Sequence, residues 1–390
     1  MRIALVEGNL TGHRPVYLRH LLDWLPPDLA IELHAPAEVL DHAAFAGLAA
    51  ARKAQIHVVE LPHQENGEPH GCLAVLRHHL AKARSLRRHL RRSGIGRGDV
   101  VAIPYADDLY AGLALRPGRW FGGAKVVSVG MRNDLHLEAG SVLAGGRKPP
   151  GALQAWLQRR FLAGHDLHRH WSNQLPFAEW SARHLDGRVG FLGDPAPPPT
   201  CADRATCCAA LDLDPAQRHL LCFGNLTPRK GLDRLLRLAA RTDWPEQIRA
   251  VLVGRCDSEV QAALDGASET ARSHVRIRSG FVPFTEEPLW FAAADLVWLA
   301  YEGHPFMSGC LVSAGLARRP VAACSDGLIG WYTSRYGLGF LVPKDDAAAV
   351  ASIAAYSDGT WQAPTIQPFI EHLPHCFAAR FWNSVRAAGA

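Results

Sequence analysis

One alternation, repeated in two halves, most constrains what this chain can fold into. Short apolar runs alternate with amphipathic helical stretches, and a proline-rich segment separates the halves. In the first half, strands are expected at 2–7, 31–35, 56–61, 100–104, 125–130 and 167–172. Helices are expected between them near 15–25, 71–93, 107–115, 151–163 and 174–184. The second half gives strands at 219–224, 248–254, 275–282, 294–301, 320–325 and 339–343. Its helices fall near 230–241, 257–266, 284–293, 307–318, 345–356 and 367–388. A strand that passes through a helix into the next strand returns parallel, and such sheets are covered on both faces. The expected fold class is therefore α/β, with two doubly wound, Rossmann-like domains facing a cleft.

The separating segment, "FLGDPAPPPTCADRAT" (191–206), holds Pro195, Pro197, Pro198 and Pro199, which neither helix nor strand accommodates. The expected division is 1–195, 196–365, and a last helix in 366–390 packing at the domain junction through Phe377, Phe381 and Trp382. Ligands of such sheets bind beyond the carboxyl ends of the strands.

Length supports two domains: 390 residues exceed what one core usually serves. The net charge of +5 suits an anionic small molecule or membrane surface and is too weak for a nucleic-acid partner. The 9 cysteines form no C-x-x-C pair, so no metal site is expected and a reducing, cytoplasmic setting is. The apolar run in "MRIALVEG" is too short for a secretory signal, and no segment is apolar for long enough to span a membrane.

Two motifs carry chemistry. In "FGNLTPRKGLD" (223–233), Arg229 and Lys230 stand where a strand hands over to a helix. A helix start offers unpaired N–H groups, and two cations there suit a diphosphate. A plain solvated helix start is the weaker explanation, since the dipole disfavours cations at that end. In "YEGHPFMSGCLVSAGLARRPVAA" (301–323), Glu302 and His304 lie on a loop and Ser308-Gly309 opens a helix. That start can hold a phosphate, or Ser308 can be an ordinary N-cap.

Together with "AVLVGRC", "SGFVPFTEEPLWFAAADLVWLAYEGHPF" and "GLGFLVPKDDAAAVASIAA", these segments resemble the C-terminal half of GT-B glycosyltransferases, family 4, over about 215–360. The likeness is weaker over 1–190, where "RIALVEGNLTGHRPVYLRHLL" has the expected strand, glycine loop and helix.

The resemblance implies a nucleoside-diphosphate sugar as donor substrate and transfer to an acceptor hydroxyl on a polysaccharide or lipid-linked glycan. It implies retention at the anomeric carbon, no metal and no further cofactor. Lys230 and Arg229 would hold the diphosphate and Ser308-Gly309 its distal phosphate. Gly224, Asn225, Arg255, Val282, Phe284, His304, Cys310 and Ser313 complete the implied donor site. Two positions depart from the family. Asn225 stands where arginine is usual, with Arg229 as its substitute. Ser313 stands where the second of two glutamates would hold the ribose hydroxyls, and a serine reaches them only through water. That loss motivates a second reading, a non-catalytic GT-B scaffold that binds nucleotide or glycan. An epimerase of the same architecture is a third, but its catalytic carboxylates are not evident.

On the acceptor side, Gly12 and His13 follow the first strand, His13 either as a base or as a surface histidine. Tyr105, Asp107 and Asp108 follow another strand, Asp107 as the helix cap and Asp108 as an acceptor contact. Arg132 follows a third. The stretch 73–92 has an apolar stripe at 73, 76, 80, 83, 86 and 90. Its other face carries Arg77, Arg84, Arg87, Arg88, Arg91 and Arg92, either solvated or docked peripherally on an anionic membrane at its inner face.

Overall fold

A computed structural model describes every residue except 12–13, 63–71, 116–118, 146–147, 284 and 358–363. In chain order the first half runs β1 (Ile3–Val6), α1 (Arg14–Asp23), β2 (Ile31–Ala35), α2 (Ala50–Lys53), β3 (Ile56–Glu60), α3 (Cys72–Arg92), β4 (Val100–Ile103) and α4 (Tyr110–Ala114). It continues through β5 (Lys125–Gly130), α5 (Ala152–Leu162), β6 (Leu167–Ser172), α6 (Leu175–His184) and β7 (Val189–Phe191). The second half runs α7 (Arg204–Ala210), β8 (Arg218–Phe223), α8 (Leu232–Ala239), β9 (Ile248–Gly254), α9 (Ser258–Asp265), α10 (Glu269–Ser273), β10 (Val275–Ser279) and α11 (Glu287–Ala293). Then come β11 (Leu296–Leu299), α12 (Gly309–Leu316), β12 (Val321–Ala323), α13 (Gly327–Tyr336), β13 (Gly339–Leu341), α14 (Asp346–Ser357) and α15 (Pro374–Gly389).

The strands form two sheets, parallel throughout the described pairings, in the orders β3-β2-β1-β4-β5-β6-β7 and β10-β9-β8-β11-β12-β13. The expectation of two Rossmann-like parallel-sheet domains is borne out. Each order reverses once, between β1 and β4 and between β8 and β11, and these reversals open crevices at the carboxyl edges.

Central strands are apolar and buried on both faces, as helices on both sides require. In the first sheet Leu5 and Ala102 point into one core, while Ala4, Val6, Val101 and Ile103 point into the other. In the second, Leu220, Cys222, Leu252 and Trp298 pack under Leu232, Leu235 and Leu238 of α8.

Two compact units divide the chain at Pro195/Ala196, but each also takes a segment from elsewhere. Residues 374–390 belong to the first unit and 138–148 to the second. The expected helix at 367–388 is broken. Gln367–His372 is a 3-10 turn, Leu373 is extended, and α15 begins at Pro374. Proline has no N–H to give and holds its predecessor out of the helical region. Phe377, Phe381 and Trp382 then join Tyr17, Leu18 and Leu21 in the first unit's core. Trp382 Nε1 donates to the Leu21 carbonyl at 2.9 Å.

Candidate functional site

In the second unit, β8 and β11 lie side by side at the reversal of strand order, so the loops that follow them meet. Beyond β8 the chain turns at Gly224 (φ +97°) and closes a 3-10 turn, Pro228–Lys230. Gly231 follows in the left-handed region (φ +66°), where a Cβ would stand 2.5 Å from the Ala300 carbonyl oxygen. Only glycine fits there, and that close approach folds Lys230 beneath the loop.

Lys230 is 4% exposed. Its Nζ donates to the Phe223 carbonyl at 2.5 Å and the Tyr301 hydroxyl at 2.8 Å, and lies 3.9 Å from Cys310 Sγ. The ammonium also sits 4.7 Å from the centre of the Tyr301 ring. Burial works against its charge. Cys310, Tyr301 and Cys222 around it outweigh that and hold its pKa above the usual lysine value. Burial pushes the Cys222 thiol up to about 12.

Arg229 points the other way and is exposed. Its Nη1 lies 2.9 Å from His304 Nδ1, and His304 Nε2 lies 3.3 Å from the Met307 carbonyl. The carbonyl accepts only from an N–H, and the guanidinium is always a donor, so the pattern selects neutral imidazole with its proton on Nε2. Burial, then the Arg229 charge, push His304 down to about 4. The Arg229 carbonyl accepts the Glu302 backbone N–H at 2.7 Å, which ties the β8 and β11 loops together, while Glu302 itself is exposed.

Ser308 occupies the N-cap of α12 without a side-chain capping bond. The helix start at Gly309 and Cys310 therefore keeps its orphan amides for an external acceptor. Gly309 is exposed, with no atom within 4 Å of where a Cβ would lie. Cys310 Sγ donates to the same Phe223 carbonyl at 3.3 Å.

Asn225 and Arg255 are exposed, and the Arg255 carbonyl accepts the Leu226 N–H at 2.8 Å, joining the β8 and β9 loops. Val282 is half-buried and Phe281 is 81% exposed, a large apolar ring left in solvent just beyond β10. Phe284 lies outside the described residues. Ser313 does not stand free to reach a ligand through water: its Oγ donates to Glu287 Oε1 at 2.8 Å.

The first unit has its own cluster where β1 and β4 meet. Arg14 reaches Glu7 and Asp108 at 3.2 Å each, Lys82 reaches Asp108 at 2.6 Å, and Arg14 stacks 3.7 Å over the Tyr105 ring. Asp108, expected as an acceptor contact, is thus engaged by two cations, which with its hydrogen bonds hold its pKa below the usual value against burial. Asp107, expected as a helix cap, instead accepts the Met131 and Arg132 amides at 2.9 Å each, and burial raises it to about 6. The N-cap of α4 is Leu109, which has no side chain to cap with. Arg132 is exposed beside Asp107. Gly12 and His13 lie outside the described residues.

Tyr301, Glu287, Glu7, Arg14 and Lys82 escaped the sequence reading. Tyr301 ends the apolar run of β11, and that adjacency was its one available signal. Long-range partners such as Glu287 and Ser313 leave no local pattern.

The match to a family model described as glycosyl transferases group 1 covers residues 217–356, the segment that builds this site. Sucrose-phosphate synthase from Thermosynechococcus elongatus has the same fold, with a TM-score of 0.62 at 15% identity, covering 100% of this chain and 94% of that one. Anabaena HepE in complex with UDP gives 0.56 at 16%, covering 100% and 97%. WaaG, a glycosyltransferase involved in lipopolysaccharide biosynthesis, gives 0.53 at 15%, covering 99% and 95%. No curated protein matches the sequence. Both units have the GT-B fold of these structures, and residues 217–356 carry the pattern of the glycosyl transferases group 1 family.

Proposed function

We propose that the chain moves a sugar from a nucleoside-diphosphate sugar to an acceptor hydroxyl on a polysaccharide or lipid-linked glycan. The observation that carries this reading is the meeting of Arg229, Lys230 and the uncapped start of α12 at one strand-order reversal. Arg229 and the amides at Gly309 and Cys310 face a diphosphate directly, and Lys230 adds its charge from beneath. Such preorganised donors stabilise the negative charge that grows on a departing diphosphate. Two cations and a helix dipole supply that charge stabilisation from the protein itself, which favours metal-independent transfer. HepE, of like fold, is seen with UDP-glucose, which makes UDP-sugars the first donors to test.

Retention follows from the family resemblance. His13 and Glu302 are the groups proposed to act near the reacting carbon, and Gly224, Asn225, Arg255, Val282 and Phe284 to line the nucleoside. Tyr105, Arg132 and Gly12 are the residues proposed to meet the acceptor. The first unit favours a peripheral site of action on the inner face of a membrane. Arg77, Arg84, Arg88, Arg91 and Arg92 are exposed along α3, with Leu73 69% exposed at its start. Arg87 is turned inward, its Nε on the Trp120 carbonyl at 2.8 Å. Among the described residues no helix is long and apolar enough to cross a membrane.

The test is turnover. Wild type is incubated with a panel of nucleoside-diphosphate sugars and glycan or lipid-linked acceptors, with and without EDTA. Release of nucleoside diphosphate coupled to a glycosylated product, unaffected by EDTA and with the donor's anomeric configuration by NMR, is expected. A fold-competent protein that binds donor and never transfers would favour the scaffold reading.

A further inference from the structure

The first unit carries a cavity that neither the Arg14–Asp108 cluster nor the basic face of α3 uses. It lies between β6 and α15 and holds about 370 Å³, within the span of roughly 300–1,000 Å³ usual for small-molecule sites. One wall is β6, with His168, Arg169 and Trp171; the other is α15, with Arg380, Asn383 and Ser384. Trp171 Nε1 donates to Ser384 Oγ at 3.0 Å, and Ser384 Oγ donates to the Phe381 carbonyl at 2.7 Å. These bonds satisfy the polar atoms at the base of the cavity and fix the spacing of its walls. The place is distinct from the reversal of strand order. β6 is the second strand beyond β4, about 10 Å across the sheet. His168 and Arg169 stand in its amino-terminal half, away from the carboxyl end at which such sheets usually bind ligands.

The charge around this cavity is one-sided. Arg169 Nη1 donates to the Gly187 carbonyl at 2.7 Å, and its guanidinium lies 5.1 Å from the centre of the Trp171 ring. Neither partner is an anion, and one carbonyl leaves Arg169 most of its five N–H donors. Arg380 Nη1 donates to the Phe191 carbonyl at 3.2 Å. None of the described residues that line the cavity is acidic. Burial, then the charges of Arg169 and Lys125, lower the His168 pKa, as a positive local field does. An anion complements such a site, and the guanidinium forks choose among anions. A single fork matches the two coplanar oxygens of a carboxylate, whereas forks on two facing walls suit the three terminal oxygens of a phosphate ester. The remaining volume, beside the Trp171 ring and Asn383, has room for a small organic body. We propose that the cavity between β6 and α15 binds a small soluble phosphate ester through Arg169 and Arg380. This site stands independently of the donor-site reading.

The test is isothermal titration on the full chain with glucose 6-phosphate, inorganic phosphate, gluconate, and phosphatidylcholine vesicles containing phosphatidic acid. Wild type and Arg229→Ala are expected to bind glucose 6-phosphate alike. Arg169→Gln and Arg380→Gln are each expected to weaken that binding about 10- to 100-fold, the range of a charge-assisted hydrogen bond. Arg169→Lys, which keeps the charge and loses the fork, is expected to weaken it less. Ala387→Trp, at an exposed position of α15 that lines the cavity, fills the space while leaving both arginines in place. It is expected to abolish binding with an unchanged melting temperature. Inorganic phosphate should compete with glucose 6-phosphate, and gluconate should not. A wild type that binds no soluble phosphate overturns the proposal, as does binding that survives Arg169→Gln and Ala387→Trp. Binding lost in Arg229→Ala overturns it by placing the phosphate in the other unit. Gluconate bound as tightly as glucose 6-phosphate, or association with the vesicles alone, overturns it as well.

Discussion

Lys230 Nζ and the Tyr301 hydroxyl stand 2.8 Å apart beneath the loops that follow β8 and β11. The bond joins two segments 71 residues apart in sequence. It holds a permanent positive charge at the strand-order reversal, with the Phe223 carbonyl as a second acceptor.

Removing that phenol weakens both fold and site. Tyr301→Phe is expected to cost about 1.5–3 kcal/mol, the range for a hydrogen bond to a charged group. Urea denaturation measures the cost. Nucleoside diphosphate affinity should fall in the same variant, because Lys230 loses one of its anchors.

Arg229 separates function from stability. It is exposed and its guanidinium touches His304, so Arg229→Ala should change stability by no more than about 0.5 kcal/mol. Its kcat is expected to fall about 10²- to 10³-fold, as when one donor to a developing anion is lost. Steady-state kinetics beside thermal melts check both halves.

The terminal helix is part of the first unit's core. Phe381 is 0% and Trp382 1% exposed. Phe381→Ala or Trp382→Ala should each destabilise by about 3–5 kcal/mol. A chain ending at Leu373 should lose the cooperative melting of the first unit while the second unit's transition persists.

Much of the fold was readable because both regular patterns are local. Apolar strands such as "VVAI" and "LVWL" and the helical stripes between them each declare their period within a few residues. The short strand β7 and the short helices α2, α7 and α10 escaped because a few residues carry little period, and α13 escaped because it is buried over most of its ten residues and shows no single apolar stripe. Segment 138–148 reads as an ordinary loop, yet it packs in the second unit, where Gly145 leaves a Cβ position 3.2 Å from Pro305 Cβ. The site was legible where charge falls at a strand end, as at Arg229-Lys230. It was illegible where a partner comes from far away in sequence. Asp108 looked like a ligand contact because nothing nearby announces that Arg14 and Lys82 will engage it.

One buried histidine gives a pH dependence of known sign. His170 is 2% exposed, pairs with Ser128 Oγ at 2.9 Å, and is pushed down to about 3 by burial. Its unfolded value is near 6.5, so the unfolded chain binds the proton first as pH falls. The stability it contributes is complete above pH 6.5 and is lost progressively down towards pH 3. In His170→Asn the stability–pH slope over pH 4–6 should be shallower by about 1.4 kcal/mol per pH unit, one proton's worth. Denaturation series at stepped pH measure the difference.

The donor site itself is best probed by binding. Thermal shifts would be recorded without metal for wild type and Arg229→Ala against UDP, GDP, ADP, CDP and their sugars. A selective rise in melting temperature with one nucleoside diphosphate and its sugar, lost in Arg229→Ala, is the expected result. No shift with any of them in well-folded wild type would contradict a diphosphate site at Arg229, Lys230 and the start of α12.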